Sequence, residues 1–123
     1  KPEVVSVTWN NELPVNFSLS QNYPNPFNPS TVISLDLPQR AKVSLVIFNL
    51  LGQEVVRLID REMPAGKQSV IWNADSNAAG IYFYHLTAGE FSETKKMVLL
   101  SRFAREEQRR DNAKQQDQPG QPE

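Results

Sequence analysis

Three prolines and three asparagines stand in the eleven positions of QNYPNPFNPST, residues 21–31. Each proline removes a backbone N–H, fixes φ at about −65° and drives the residue before it to extended geometry. A segment built this way is neither a helix nor an inner strand. Asn22, Asn25 and Asn28 readily bond their own backbone and initiate turns. Tyr23 and Phe27 are the large apolar side chains between these breakers. The stretch therefore reads as a stiff, kinked entry segment pinned by two aromatic anchors.

Beyond it the pattern changes. TVISLDL, KVSLVIFN, QEVVRLI, KQSVIW, IYFYHLTA and EFSETKKMVLL are rich in β-branched and aromatic residues, and LPQRA, NLLGQ, MPAGK, NADSNAAG and TAGE separate them. Such runs between turn signals are strands. With a short strand around residues 17–20 they number seven, which predicts an all-β sandwich or barrel. Alternation places Val43, Leu45, Ile47, Val70, Trp72, Tyr82, Tyr84 and Leu86 toward one core. Gly52 suits the positive φ of the NLLGQ turn, where Leu50 and Leu51 are expected to cap the sandwich end. An exposed leucine contact point is the alternative.

Hydrophobic residues make up 39% of the 123 positions, enough for one modest core. A net charge of −1 gives no field to attract nucleic acid or an anionic membrane. The absence of cysteine excludes disulfides, zinc–thiolate sites and cysteine nucleophiles. No apolar run reaches the roughly 20 residues of a membrane-spanning helix. A chain that starts on Lys1 reads as a piece of a longer one. Residues 1–16 read as a linker from preceding cargo, with one loosely docked strand around residues 4–9. Residues 101–123 carry five basic residues, five acidic residues and five glutamines. That tail is expected to be disordered or a frayed helix, ordering only against a protein partner, with Phe103 as its anchor.

The blocks LSQNYPNPFNPSTVISLDLP, VSLVIFNLLGQEVVRLID, MPAGKQSVIWNA and GIYFYHLTAGEFSETKKMVLL resemble the type A C-terminal sorting domain of the type IX secretion system of Gram-negative bacteria. They stand in that family's order and spacing. The resemblance implies an Ig-like antiparallel β-sandwich over residues 17–100. It also implies a role as an address read by the outer-membrane translocon. A sortase-like peptidase then usually removes the domain and can link the cargo to anionic lipopolysaccharide. The implied route is secretion through the periplasm to the cell surface or the extracellular space. Family members generally end near the strand matching KKMVLL, whereas here 23 residues follow.

Two stretches are candidates for the recognised surface. The first is Tyr23, Pro24, Asn25, Pro26, Phe27, Asn28 and Pro29. Its simpler role is a rigid edge that cannot extend a β-ladder. The second is Lys95, Lys96, Met97, Val98, Leu99 and Leu100, the last strand, whose edge is expected to be open to a receptor sheet. The alternative there is that the two lysines serve as edge protection. Cleavage from cargo is expected between Asn10 and Leu19.

No enzymatic arrangement appears: there is no Gly-x-Ser-x-Gly elbow, no HExxH helix and no glycine-rich phosphate loop. His85 is the single histidine and lacks carboxylates at ligand spacing. The asparagines come without the acidic set that calcium requires. No cofactor is expected. Two other functions compete with sorting. One is a retained Ig-like structural or adhesive module. The other is carbohydrate binding, which would require Trp72 and the tyrosines of GIYFYHL as an exposed platform.

Overall fold

The computed structural model describes residues 13–101, and the strand expected around residues 4–9 and the tail with Phe103 lie outside the described residues. Seven strands form: β1 (Ser18–Leu19), β2 (Ser30–Leu37), β3 (Ala41–Phe48), β4 (Glu54–Met63), β5 (Gly66–Asn73), β6 (Gly80–Ala88) and β7 (Phe91–Leu99). They build a three-stranded sheet in the order β1-β2-β5 and a four-stranded sheet in the order β4-β3-β6-β7. Every strand pairing is antiparallel. The fold is all-β with the seven strands that the pattern predicts, and of sandwich and barrel it is the sandwich.

Period-two alternation decides which side chains enter the space between the sheets. β2 sends Thr31, Ile33, Leu35 and Leu37 inward, β3 sends Val43, Leu45 and Ile47, and β6 sends Tyr82, Tyr84, Leu86 and Ala88. Trp72 from β5 meets Phe27 at 5.7 Å and Tyr82 at 5.4 Å, the second contact edge to face. Seven of the eight expected core residues are buried, and Val70 is half-buried against the same cluster. Sequence pattern therefore becomes packing with one partial exception, at the sandwich's open side.

The Tyr82 hydroxyl donates to the carbonyl of Ala78, four residues upstream and just before β6. This is the corner by which Ig-like sandwiches fix entry into the strand carrying their buried tyrosine. The bond gives a buried phenol its partner. It also holds the loop from β5 against the sheet end.

The β3–β4 turn departs from expectation. Leu50 and Leu51 do not cap the core; they are 66% and 81% exposed. Asn49 supplies the reason. Its side-chain carbonyl accepts the N–H groups of Leu51 and Gln53, both at 2.9 Å, and its backbone carbonyl accepts the N–H of Gly52. With Gly52 at φ 82°, the turn closes on its own polar groups. It needs no apolar anchor, so both leucines face water.

Replacing Trp72 with alanine should cost about 3–5 kcal/mol, the range for deleting a buried aromatic. Leu51→Ala should change stability by no more than about 0.5 kcal/mol. Urea unfolding of both variants checks the pair.

Candidate recognition surface

The proline-rich segment begins on one sheet and finishes on the other. Ser18 and Leu19 pair with Asp36 and Leu35 of β2, and the Ser20 N–H reaches the Ser34 carbonyl at 2.9 Å. Tyr23 and Val32 then exchange two bonds of 3.0 and 2.9 Å. Past Pro24 the chain leaves β2 and crosses to β7. The Phe27 N–H donates to the Val98 carbonyl at 2.9 Å, and the Phe27 carbonyl accepts the Leu100 N–H at 3.0 Å. Prolines suit this crossing because no N–H is needed at their positions. The peptide bonds before Pro24, Pro26 and Pro29 are cis.

Two side chains complete the clasp. The Asn25 side-chain carbonyl accepts the Val98 N–H at 2.9 Å, and Gln21 Nε2 donates to the Lys96 carbonyl at 2.7 Å. The outward-facing backbone of β7 at residues 96–100 is thus filled from within. An edge open to a receptor strand is not what these residues offer, since Asn25, Phe27 and Gln21 already use its polar groups.

A buried polar knot holds the crossing in place. The Asn22 N–H donates to the Tyr84 hydroxyl at 2.8 Å, and that hydroxyl donates to the Ser20 carbonyl at 2.7 Å. Asn22 Nδ2 donates to Thr31 Oγ1 and to the Pro24 carbonyl, at 2.9 and 3.2 Å. Thr31 Oγ1 donates to that same carbonyl at 2.9 Å, and Asn22 Oδ1 accepts Gln21 Nε2 at 2.7 Å. Asn22 and Thr31 are the buried polar residues of the described chain, and each side chain finds its partners. Burial pushes the Tyr84 phenol up to about 12; the bond from Asn22 lowers it, and the nearby Glu93 carboxylate raises it further.

The two candidate stretches therefore meet, but their side chains divide. Phe27, Met97 and Leu99 are fully buried and belong to the core. Tyr23, Pro24, Asn25, Pro26 and Lys96 are exposed, while Asn28, Pro29, Lys95, Val98 and Leu100 are half-buried. Tyr23 is not the second anchor expected of it: at 79% exposure it stands beside Val32 on the outer face of the three-stranded sheet. Lys95 turns to Glu93 at 3.3 Å. Sequence reasoning missed Gln21 and the Tyr84 tie, which spans 64 positions and carries no local signal.

Near the clasp lies an apolar cleft lined by Leu50, Leu51, Ala78, Ala79, Ile81 and Tyr82, together with Gly80 and the polar Asn49. It adjoins the clasp because Ile81 is the register partner of Val98. Trp72, Tyr82 and Tyr84 are buried, so the platform that carbohydrate binding would require is not formed.

Tyr84→Phe should cost about 1–3 kcal/mol, since it leaves the buried Asn22 N–H without its acceptor and removes the donor to the Ser20 carbonyl. The alkaline limb follows from the raised phenol. In the unfolded chain Tyr84 ionises from about pH 10, while the folded chain keeps its proton to about 12. Between those values the folded state binds more protons, so stability falls as pH rises, by about 2–3 kcal/mol in full. Denaturant melts from pH 8 to 12 should show this slope in the native chain, with its larger part gone in Tyr84→Phe.

Searches of curated proteins and of solved structures returned no match to the chain. A family model described as the secretion system C-terminal sorting domain matches residues 21–100, from the Gln21 that ties down β7 to the Leu100 that closes the clasp. The family is non-catalytic, and its sorting role implies contact with secretion machinery and passage across the outer membrane. With close to two thirds of its length matched in one continuous block, the chain belongs to the family of type IX secretion C-terminal sorting domains.

Proposed function

We propose that this domain carries a cargo protein to the cell surface by presenting its clasp to the outer-membrane translocon. One observation carries this reading: four hydrogen bonds join residues 21–27 to residues 96–100 and bring both candidate stretches onto a single rigid surface. A machine that exports varied cargo must read what the domain holds constant. A segment pinned at these points gives such constancy, because its geometry is set within the domain and owes nothing to the residues preceding it.

Recognition in this account runs through side chains, since the strand edge at residues 96–100 is occupied. Tyr23, Pro24, Asn25, Pro26 and Lys96 are the exposed contacts. Leu50, Leu51 and Ile81 extend them with apolar surface at the same end of the sandwich. Cargo precedes the domain. Ser18 and Leu19 are paired with β2, so removal by a sortase-like peptidase falls ahead of them, at residues 10–17, where the described residues make no ladder.

The test is a reporter protein fused ahead of the chain and expressed in a host with type IX secretion. Tyr23→Ala with Lys96→Glu should lower surface display several-fold while leaving the melting temperature within about 2 °C, because both positions are exposed. Mass spectrometry of displayed reporter should find the new terminus between Asn10 and Ser18. Undiminished display of the double variant would remove the clasp as the surface that is read. Intact domain on the displayed reporter would favour a retained structural or adhesive module.

A further inference from the structure

Four strand edges close the two sheets, and three carry some form of protection. β1 is two residues long and runs into the prolines. β7 holds Glu93, Lys95 and Lys96 and is clasped along its second half. β4 has five charged residues among ten and breaks register with β3 at two points. Short length, prolines, charges and bulges are the devices by which sheets avoid pairing with other chains. β5 has the least of them. It is eight residues long, pairs with β2 in unbroken register, contains no proline, and has Lys67 as its one charge.

The register shows which groups are free. Val32 and Ser34 turn their backbone toward residues 20–23, so Thr31, Ile33, Leu35 and Leu37 turn theirs toward β5. Their partners are Trp72, Val70, Gln68 and Gly66. The alternate residues Lys67, Ser69, Ile71 and Asn73 therefore direct N–H and C=O groups away from β2, and these find no partner among the described residues. Groups in this alternation fit an extended strand and little else.

A second observation points to the same edge. Tyr23, Val32 and Ile71 lie side by side across the outer face of the three-stranded sheet, 79%, 37% and 66% exposed. This apolar row begins over the entry segment and stops at the open edge, at Ile71.

We propose that the open edge of β5 pairs with β5 of a second copy of this chain, antiparallel about a two-fold axis at Val70. In that register Lys67 opposes Asn73 of the copy and Ser69 opposes Ile71, so all four outward residues on each strand exchange bonds. Lys67 stays clear of its own copy, which removes the one like-charge contact that could oppose pairing. The two Ile71 side chains become diagonal neighbours on the same face. Each apolar row then continues into the other across a single six-stranded sheet. The half-buried Val70 meets its copy on the axis, at the sandwich's open side. β5 lies on the side of the sandwich away from the clasp, so the pairing leaves that surface accessible and is independent of the sorting reading.

An edge contact of this kind is small, so self-association should be weak. Sedimentation equilibrium of the full chain from about 10 μM to 1 mM should show the average mass rising from one chain toward two. Over the same range amide exchange at Ser69 and Ile71 should slow by about tenfold. Ser69→Pro removes one outward N–H, a change tolerated on an edge strand, and should hold the chain monomeric with its melting temperature unchanged. Should that variant fail to fold, Ile71→Lys, which sets two cations at the junction of the rows, must give the same monomer. Wild-type chain that stays monomeric at 1 mM overturns the proposal. So does a dimer that survives both variants. Ser69 and Ile71 amides protected in a monomer at every concentration would overturn it too, placing another segment of the same chain on the edge.

Discussion

The Tyr84 hydroxyl is the point on which the two sheets and the entry segment are joined. Its ring is fully buried on β6, in the four-stranded sheet, yet its oxygen bonds Ser20 and Asn22, which run beside the three-stranded sheet. Packing alone would leave the sheets free to slide, because apolar contact is not directional. A hydroxyl that donates to one fixed carbonyl and accepts from one fixed N–H allows a single relative placement. From that placement follow the Asn22 knot, the turn at Pro24 and the arrival of Phe27 at β7. The proline segment has little ladder of its own, so this bond and the clasp supply its order.

The result is a sandwich with two unlike sides. On one, the segment at residues 18–29 pairs first with β2 and then with β7, and Phe17 stacks on Phe91 at 5.7 Å. On the other lie β4 and β5, the edge strands of the two sheets, where Val56, Leu58 and Val70 remain half-buried. A strand edge is a hazard wherever it is left open. Here the chain spends its irregular, proline-rich sequence on closing the first side. The second side depends on charge along β4 and has no equivalent along β5.

Strands and core were legible because their signals are local. The alternation in TVISLDL and GIYFYHL depends on neighbours two residues apart, and the structure keeps both the strands and their inward faces. The turn at Asn49 was half legible: Gly52 announces it, but whether Leu50 and Leu51 fold inward depends on how Asn49 spends its hydrogen bonds. Tyr23 and Phe27 look alike in sequence, and only the change of sheet between them separates an exposed ring from a buried one. The clasp and the Tyr84 tie were not legible. They join residues 62 to 75 positions apart, mostly by a side chain on one strand meeting a backbone group on another, and no local pattern marks such a pair.

The two recognition stretches also show how one motif can serve folding and display together. Along β7 the odd positions Met97 and Leu99 enter the core, while Lys96 and Val98 face outward, and period-two geometry enforces this division. Within residues 23–29 Phe27 alone is buried, inside a run of exposed and half-buried neighbours. A change at Phe27, Met97 or Leu99 would abolish the surface by unfolding it, so a loss of export there carries no information about contact. Asn25 is intermediate, since its side chain both faces solvent and holds the Val98 N–H. Contact can be separated from folding only where the side chain leaves the surface without holding it together. Tyr23 and Lys96 meet that condition, because the clasp uses the Lys96 carbonyl and the Tyr23 backbone and neither side chain.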